Sequence, residues 1–153
     1  MESFLVIDTP RDPYTTGATV VACFDARFEA ALRKVLKRLG ASQPDLIRVA
    51  GGPKTLASGS PLEHAVVLDQ VRASFRLHGA RRVVLVSHSD CGAYGGLATT
   101  FDADARRERV FQQHELERAG SSLRTAVPGI EVTSCFMDFE RVWLARPEAG
   151  PVP

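Results

Sequence analysis

Two thiols and one imidazole follow two predicted strands. Cys23 comes directly after the apolar run 19–22, and His88 and Cys91 follow the apolar run 82–86. Such runs are typical of buried strands, and open α/β sheets bind ligands at the carboxyl ends of their strands. Two sulfurs and one imidazole nitrogen are a familiar ligand set for catalytic zinc, which keeps a fourth position for water. The sequence therefore predicts a Zn²⁺ site made of Cys23, His88 and Cys91.

Each of these residue types also has a structural interpretation. Free cysteine is among the most buried residue types, so Cys23 and Cys91 could be core residues, or they could form a disulfide and act as a redox pair. Cys135 lies inside an apolar run and is interpreted as a core thiol. The remaining histidines lie in predicted helices and are interpreted as solvated or hydrogen-bonded residues: His64, His78 and His114.

The motifs around these residues resemble those of a known enzyme family. Cys23-x-Asp25-x-Arg27 and His88-x-x-Cys91, about 65 residues apart, resemble the zinc signature of the β-class carbonic anhydrases. The segment 48–52, Arg-Val-Ala-Gly-Gly, resembles the Arg-Asn-Ala-Gly segment between those motifs. The resemblance extends from Thr19 to Asp138.

The resemblance implies a function and roles for Asp25 and Arg27, which could otherwise be a helix cap and a surface cation. It implies a lyase that reversibly hydrates carbon dioxide to bicarbonate by zinc-bound hydroxide. In the family the aspartate either ligates zinc or pairs with the arginine, and we expect the paired, open arrangement here. Related proteins hydrolyse carbonyl sulfide or carbon disulfide, and a non-catalytic zinc-binding homologue is a third interpretation. The resemblance also implies a homodimer or a multiple of dimers.

Three features depart from the family pattern. Val49 stands where the resemblance leads us to expect asparagine, and only about 18 residues precede the first strand, where many members have a helical arm. The loop 53–60 is rich in serine and glycine, with no obvious counterpart to pocket-lining residues. We expect zinc binding to survive these differences and carbon dioxide hydration to be modest.

Composition limits the class of protein. The chain has 153 residues, 44% of them hydrophobic and 24% charged, which predicts a single domain over 1–153. A net charge of +1 gives no basic footprint for nucleic acid, and no apolar run is long enough to cross a membrane. Three cysteines without a recognisable signal peptide predict a cytoplasmic protein with metal ligands or free thiols.

Apolar periodicity predicts the elements that position the site. Strands are expected over 19–22, 46–50, 82–86, 130–136 and 141–145. Helices are expected over 28–39, over 61–77 with Ser60 as N-cap, from Asp102 or Asp104 to Arg118, and from Ser121 after a break at Gly120. The second of these should bury Leu62, Val66, Val67, Leu68, Val71 and Phe75. The order predicts an α/β fold with a mostly parallel central sheet and helices on both faces. Residues 1–17 are expected to be an N-terminal arm, with Phe4–Ile7 as an edge strand or a partner contact, or alternatively a loosely attached tail. Residues 146–153 are expected to be a frayed tail.

Overall fold

Five strands form the sheet of this protein, whose computed structural model describes residues 3–145. The strands are β1 (Thr19–Ala22), β2 (Asp45–Arg48), β3 (Arg82–His88), β4 (Glu131–Met137) and β5 (Val142–Ala145). Their order in the sheet is β2-β1-β3-β4-β5. The first four are parallel, and β5 pairs antiparallel with β4. The predicted mostly parallel α/β sheet is confirmed, while the expected tail 146–153 lies outside the described residues.

Five α-helices connect and cover these strands. They are α1 (Glu29–Arg38), α2 (Lys54–Ala57), α3 (Pro61–His78), α4 (Leu97–Thr100) and α5 (Ala105–Ala126). Ser60 caps α3 in a reciprocal capping box with Glu63, as predicted, and Gly79 ends α3 in the left-handed conformation. Within residues 3–145, none of the helices combines the length and the apolar character needed to cross a bilayer.

The sheet is buried on both faces, because successive side chains of a strand point to opposite sides. Val20 and Val84 pack with Leu32 and Leu36 of α1 on one face. On the other face Val21, Val83 and Leu85 pack with residues of α3 and α5: Val67, Val71, Leu116 and Leu123. This arrangement confirms the prediction of helices on both faces.

Several predicted elements were wrong in detail. The segment 53–60 is not all loop, because α2 forms within it and packs against α5. Gly120 does not break α5, which continues to Ala126; an added Cβ at Gly120 would lie 3.5 Å from Val132 Cγ1, so this side of the helix packs closely on β4. Leu62 and Val66, predicted to be buried, are 74% and 52% exposed.

The N-terminal residues 3–18 form no helix or strand. Phe4–Ile7 form no strand and are exposed, so the edge-strand alternative was wrong. The chain is attached further on, where the Tyr14 hydroxyl donates to Asp45 Oδ1 at 2.7 Å and the Thr16 N–H donates to the His78 carbonyl at 3.1 Å. The single-domain assignment for 1–153 and the arm role of 1–17 stay predictions.

Candidate metal centre

The three predicted zinc ligands lie together at the carboxyl edge of the sheet. β1 pairs directly with β3, so Ala22 lies beside Val86 and the chain beyond each strand enters the same region. One ligand atom each from Cys23, His88 and Cys91 lies within 4.8 Å of the other two. All three side chains are buried or nearly so, and the three cysteines of the chain are free thiols rather than a disulfide pair.

His88 presents one ring nitrogen to this cluster. Its Nδ1 lies 2.8 Å from the Ser89 carbonyl oxygen, which can only accept, so Nδ1 carries the proton. Within residues 3–145, the buried Nε2 has no hydrogen-bond partner. Burial lowers the pKa of His88, which favours a neutral ring with a free lone pair on Nε2. A neutral imidazole beside two thiols fits Zn²⁺.

Asp25 is held by the arginine that follows it two positions later. Arg27 Nε donates to both carboxylate oxygens at 3.1 Å and Nη2 donates to Oδ2 at 2.6 Å. These bonds lower the pKa of Asp25 to about 2. Asp25 Oδ1 also accepts from the Arg27 N–H at 3.0 Å and so caps the 3₁₀ turn 26–28. Both interpretations of Asp25, cap and ion-pair partner, therefore hold.

The segment after β2 supports the backbone of Cys23. Arg48 Nε donates to the Cys23 carbonyl at 2.8 Å, and Arg48 Nη1 pairs with Glu29 at 2.7 Å. Gly52 has φ +52°, and a Cβ there would lie 2.7 Å from the Cys23 nitrogen. Glycine is required at this close approach. Val49, at the position where asparagine was expected, packs its side chain against the apolar cluster on the α3 side of the sheet.

A cleft of about 530 Å³ opens beside the cluster. Its polar lining is Cys23, Asp25, Arg27, Asp90 and Cys91, and the remaining lining residues are small or apolar: Phe24, Ala50, Gly92, Ala93 and Gly96. The Phe28 ring covers the other side of His88, with ring centroids 4.5 Å apart. A small, weakly polar molecule could therefore reach the cluster beside Asp25.

The other predicted residues lie apart from the cluster. Cys135 is fully buried in β4, and burial raises its pKa to about 12, as expected of a core thiol. The three other histidines each lie beside a polar group elsewhere: His64 beside Ser122, His78 beside Asp45 and His114 beside Glu117.

From the sequence, Asp90 could either support the ligands of the metal site or cap the turn after Cys91, while Glu108 was missed. Asp90 Oδ2 accepts from Arg27 at 2.9 Å while its Oδ1 accepts from the Leu97 N–H at 3.0 Å, so it joins the ion pair and also bonds to the first residue of α4. Glu108, in the first turn of α5, is buried and accepts from Ser89 Oγ and the Asp90 N–H. The sequence held one indication of Glu108. The predicted helix has few apolar residues, so some of its buried positions had to be polar or acidic.

Comparisons with known proteins agree with the class of protein that this fold and site define, an open α/β domain with a thiol and imidazole site at its sheet edge. A family model described as "Putative carbonic anhydrase" matches residues 14–143. No curated protein sequence matches the chain significantly.

Three solved structures are similar in fold. The β-carbonic anhydrase isoform I of Trichomonas vaginalis has 12% identity and a TM-score of 0.61, covering 93% of this chain and 88% of that one. The carbonic anhydrase of Streptococcus mutans has 20% identity and a TM-score of 0.60, with 91% and 88% covered. A tetrameric β-carbonic anhydrase of Sordaria macrospora has 19% identity and a TM-score of 0.54, with 86% and 81% covered. The chain belongs to the carbonic anhydrase family, with the β-class fold.

Proposed function

We propose that this protein is a zinc-dependent carbonic anhydrase that reversibly converts carbon dioxide and water to bicarbonate and a proton. The observation that carries the proposal is the Cys23, His88 and Cys91 cluster, with ligand atoms within 4.8 Å of one another. Two further observations support the proposal. The chain belongs to the carbonic anhydrase family, and an open cleft lies beside the cluster.

Cys23, His88 and Cys91 would hold the ion as two thiolates and a neutral imidazole. Bound zinc would supply a Lewis acid that makes water nucleophilic near neutral pH. Burial raises the pKa of the Cys91 thiol to about 11, so metal binding must displace its proton. The His88 ring is already oriented by its Nδ1–H bond to the Ser89 carbonyl.

Asp25 orients the reacting water in this proposal. Its Oδ2 lies 3.9 Å from His88 Nε2, at the border between the cluster and the cleft. Because the carboxylate stays ionised at neutral pH, it can only accept hydrogen bonds. Arg27 holds it in place with three side-chain bonds, which favours Asp25 as an orienting acceptor instead of a metal ligand.

Assays of zinc-loaded protein on carbon dioxide, carbonyl sulfide and carbon disulfide test the substrate. We expect hydration of carbon dioxide above the buffer rate and slower or no hydrolysis of carbonyl sulfide and carbon disulfide. Faster hydrolysis of either sulfur compound would reassign the substrate with the same residues. No reaction with any of them would leave a non-catalytic zinc-binding homologue.

We also propose a homodimer or a multiple of dimers in the cytoplasm. Exposed apolar side chains lie on several parts of the chain, including Phe4, Val6, Leu62 and Leu144, and burial of such surface against a second copy would be favourable. The tetrameric structure from Sordaria macrospora supports assembly within this fold. A reducing compartment would keep Cys23 and Cys91 as free thiols available for the metal.

A further inference from the structure

Glu108 is a buried carboxylate beside the candidate metal centre, and neither the motifs nor the proposed reaction uses it. Its residue is 1% exposed. Within residues 3–145, no lysine, arginine or histidine nitrogen lies at ion-pair distance from its carboxylate. Burial of an unpaired carboxylate is unfavourable unless hydrogen bonds replace its water. The hydrogen bonds that Glu108 accepts should therefore show which part of the protein it stabilises.

Both carboxylate oxygens of Glu108 bond to the two residues between His88 and Cys91. Oε1 accepts from the Asp90 N–H at 2.7 Å, and Oε2 accepts from the Ser89 hydroxyl. The first turn of a helix is also the end at which a negative charge is favoured, and Glu108 lies there in α5. α5 thus fixes the backbone of the turn that joins two of the candidate ligands.

The turn needs this support because Asp90 has φ +54°. L-residues rarely adopt this left-handed conformation. The reversal at Asp90 brings the chain back so that the Cys91 thiol lies within reach of His88 Nε2 and Cys23. The hydrogen bond from the Asp90 N–H to Glu108 stabilises this conformation relative to extended ones, and its loss would remove that stabilisation.

The same two residues also orient His88 and Arg27. The Ser89 carbonyl accepts from His88 Nδ1 at 2.8 Å and so sets the tautomer. The Asp90 carbonyl and carboxylate accept from Arg27 at 3.1 Å and 2.9 Å. Every one of these groups depends on where the backbone of Ser89 and Asp90 lies.

We propose that Glu108 is a positioning residue of the metal centre, which holds Ser89 and Asp90 in the turn that aligns His88, Cys91 and Arg27. This role rests on the zinc site proposed above. Glu108 itself contacts neither the cluster nor the cleft, so it acts only through Ser89 and Asp90.

Two substitutions at Glu108 separate hydrogen bonding from bulk. Glu108→Leu fills the space but accepts no bond. Glu108→Gln can still accept from the Asp90 N–H through its carbonyl oxygen, and it can donate to Ser89 Oγ through its amide. Glu115→Gln is a matched control, because Glu115 is a second buried acid of α5 that bonds instead to Ser58, Tyr94 and Arg118.

Zinc affinity by chelator competition and the absorption bands of the cobalt-substituted protein report the geometry of the site. We expect Glu108→Leu to weaken zinc binding about 10–100-fold and to shift the cobalt bands. Glu108→Gln and Glu115→Gln should bind zinc with about wild-type affinity, because the first keeps both bonds to the turn and the second changes contacts made elsewhere. Wild-type affinity and cobalt bands in a folded Glu108→Leu protein would overturn the proposal, as would a Glu108→Gln protein as impaired as Glu108→Leu.

Amide hydrogen exchange of metal-free protein tests the turn without zinc. The Asp90 N–H should exchange about tenfold faster in Glu108→Leu than in wild type, because its hydrogen bond is lost. Unchanged exchange would overturn the positioning role even if the wild type binds zinc. A wild type that binds no zinc would contradict the proposed function, while the exchange ratio still decides whether Glu108 holds the turn. If Glu108→Leu does not fold, Ser89→Ala removes one of the two bonds, and unchanged zinc affinity and unchanged exchange in that variant would overturn the proposal.

Discussion

Arg27 binds both oxygens of Asp25, with Nη2 at 2.6 Å from Oδ2 and Nε at 3.1 Å from each oxygen. The same guanidinium reaches Asp90 on the turn between His88 and Cys91. One cation therefore joins the end of β1 to the end of β3 on the open side of the cluster. The arginine that holds Asp25 therefore also bonds to the turn between the other two candidate ligands.

Loss of Arg27 should change activity without removing metal. Arg27→Ala frees Asp25 to approach the ion as a ligand. We therefore expect the rate of carbon dioxide hydration to fall by about 10–100-fold, the equivalent of about 1.4–2.7 kcal/mol. The zinc content should not change. Arg107→Ala is the matched control, because Arg107 also pairs with an aspartate, Asp102, while its side chain is 58% exposed and does not line the cleft. Normal hydration by Arg27→Ala would show that the pairing has no catalytic role.

Metal content tests the ligand set. Protein purified without chelator should contain about one Zn²⁺ per chain, as expected for one site of this type, and Cys91→Ala should lose most of it. Cys135→Ala removes a thiol from the core, away from the cluster, and should keep the metal. Plasma emission analysis of the three proteins provides the comparison. Full zinc occupancy in Cys91→Ala would contradict the assignment of Cys91.

The motifs and the strand pattern predicted that Cys23, His88 and Cys91 lie together, since all three are at or just after the ends of β1 and β3. Prediction succeeded because parallel strands place their carboxyl ends at one edge whatever the details of their connections. The helix α5 was predicted less well. Glu108 and Glu115 of α5 are buried because they accept hydrogen bonds from residues distant in sequence, such as Asp90 and Ser58. The periodicity of apolar residues in α5 carries no information about these donors.

The remaining errors also concern long-range packing. Gly120 has a poor helix propensity, yet α5 continues through it where the helix packs on β4. Leu62 and Val66 fall on the apolar side of α3 by sequence, but the described part of the chain leaves them exposed. The sequence of α3 alone does not say which of its faces the sheet covers.

Asp45 should make stability depend on pH at the end of the sheet opposite the metal centre. Burial raises its pKa, but bonds from Ser74, His78 and Tyr14 outweigh burial and lower it. The stabilisation is therefore complete above the unfolded value of 3.8 and is lost as pH falls through the lower folded value.

The test is Asp45→Asn, compared with wild type by urea denaturation of metal-free protein at pH 7 and pH 3. We expect the variant to be less stable by about 1–2 kcal/mol at pH 7, because charge-assisted bonds are weakened, and the difference to narrow at pH 3. An equal difference at both pH values would exclude this linkage.

Self-association should be visible at micromolar concentration. We expect sedimentation velocity to give a dimer or a multiple of dimers, since exposed apolar residues on the N-terminal segment, α3 and β5 would be covered by a second copy. The species should persist on dilution if the interface is of the size typical of stable assemblies. A monomer across the accessible range of concentrations would contradict the proposed assembly.

The most direct test of the proposed enzyme is stopped-flow hydration of carbon dioxide by zinc-replete wild type and Asp25→Ala between about pH 7 and pH 9, the range over which zinc-bound water ionises. Asp12→Ala, an exposed aspartate of the N-terminal segment, is the control. We expect the wild-type and control rates to exceed buffer and to rise with pH, and Asp25→Ala to fall by at least about tenfold, the equivalent of about 1.4 kcal/mol, with zinc still bound. No hydration above buffer by wild-type protein of confirmed zinc content would contradict the assignment as a carbonic anhydrase.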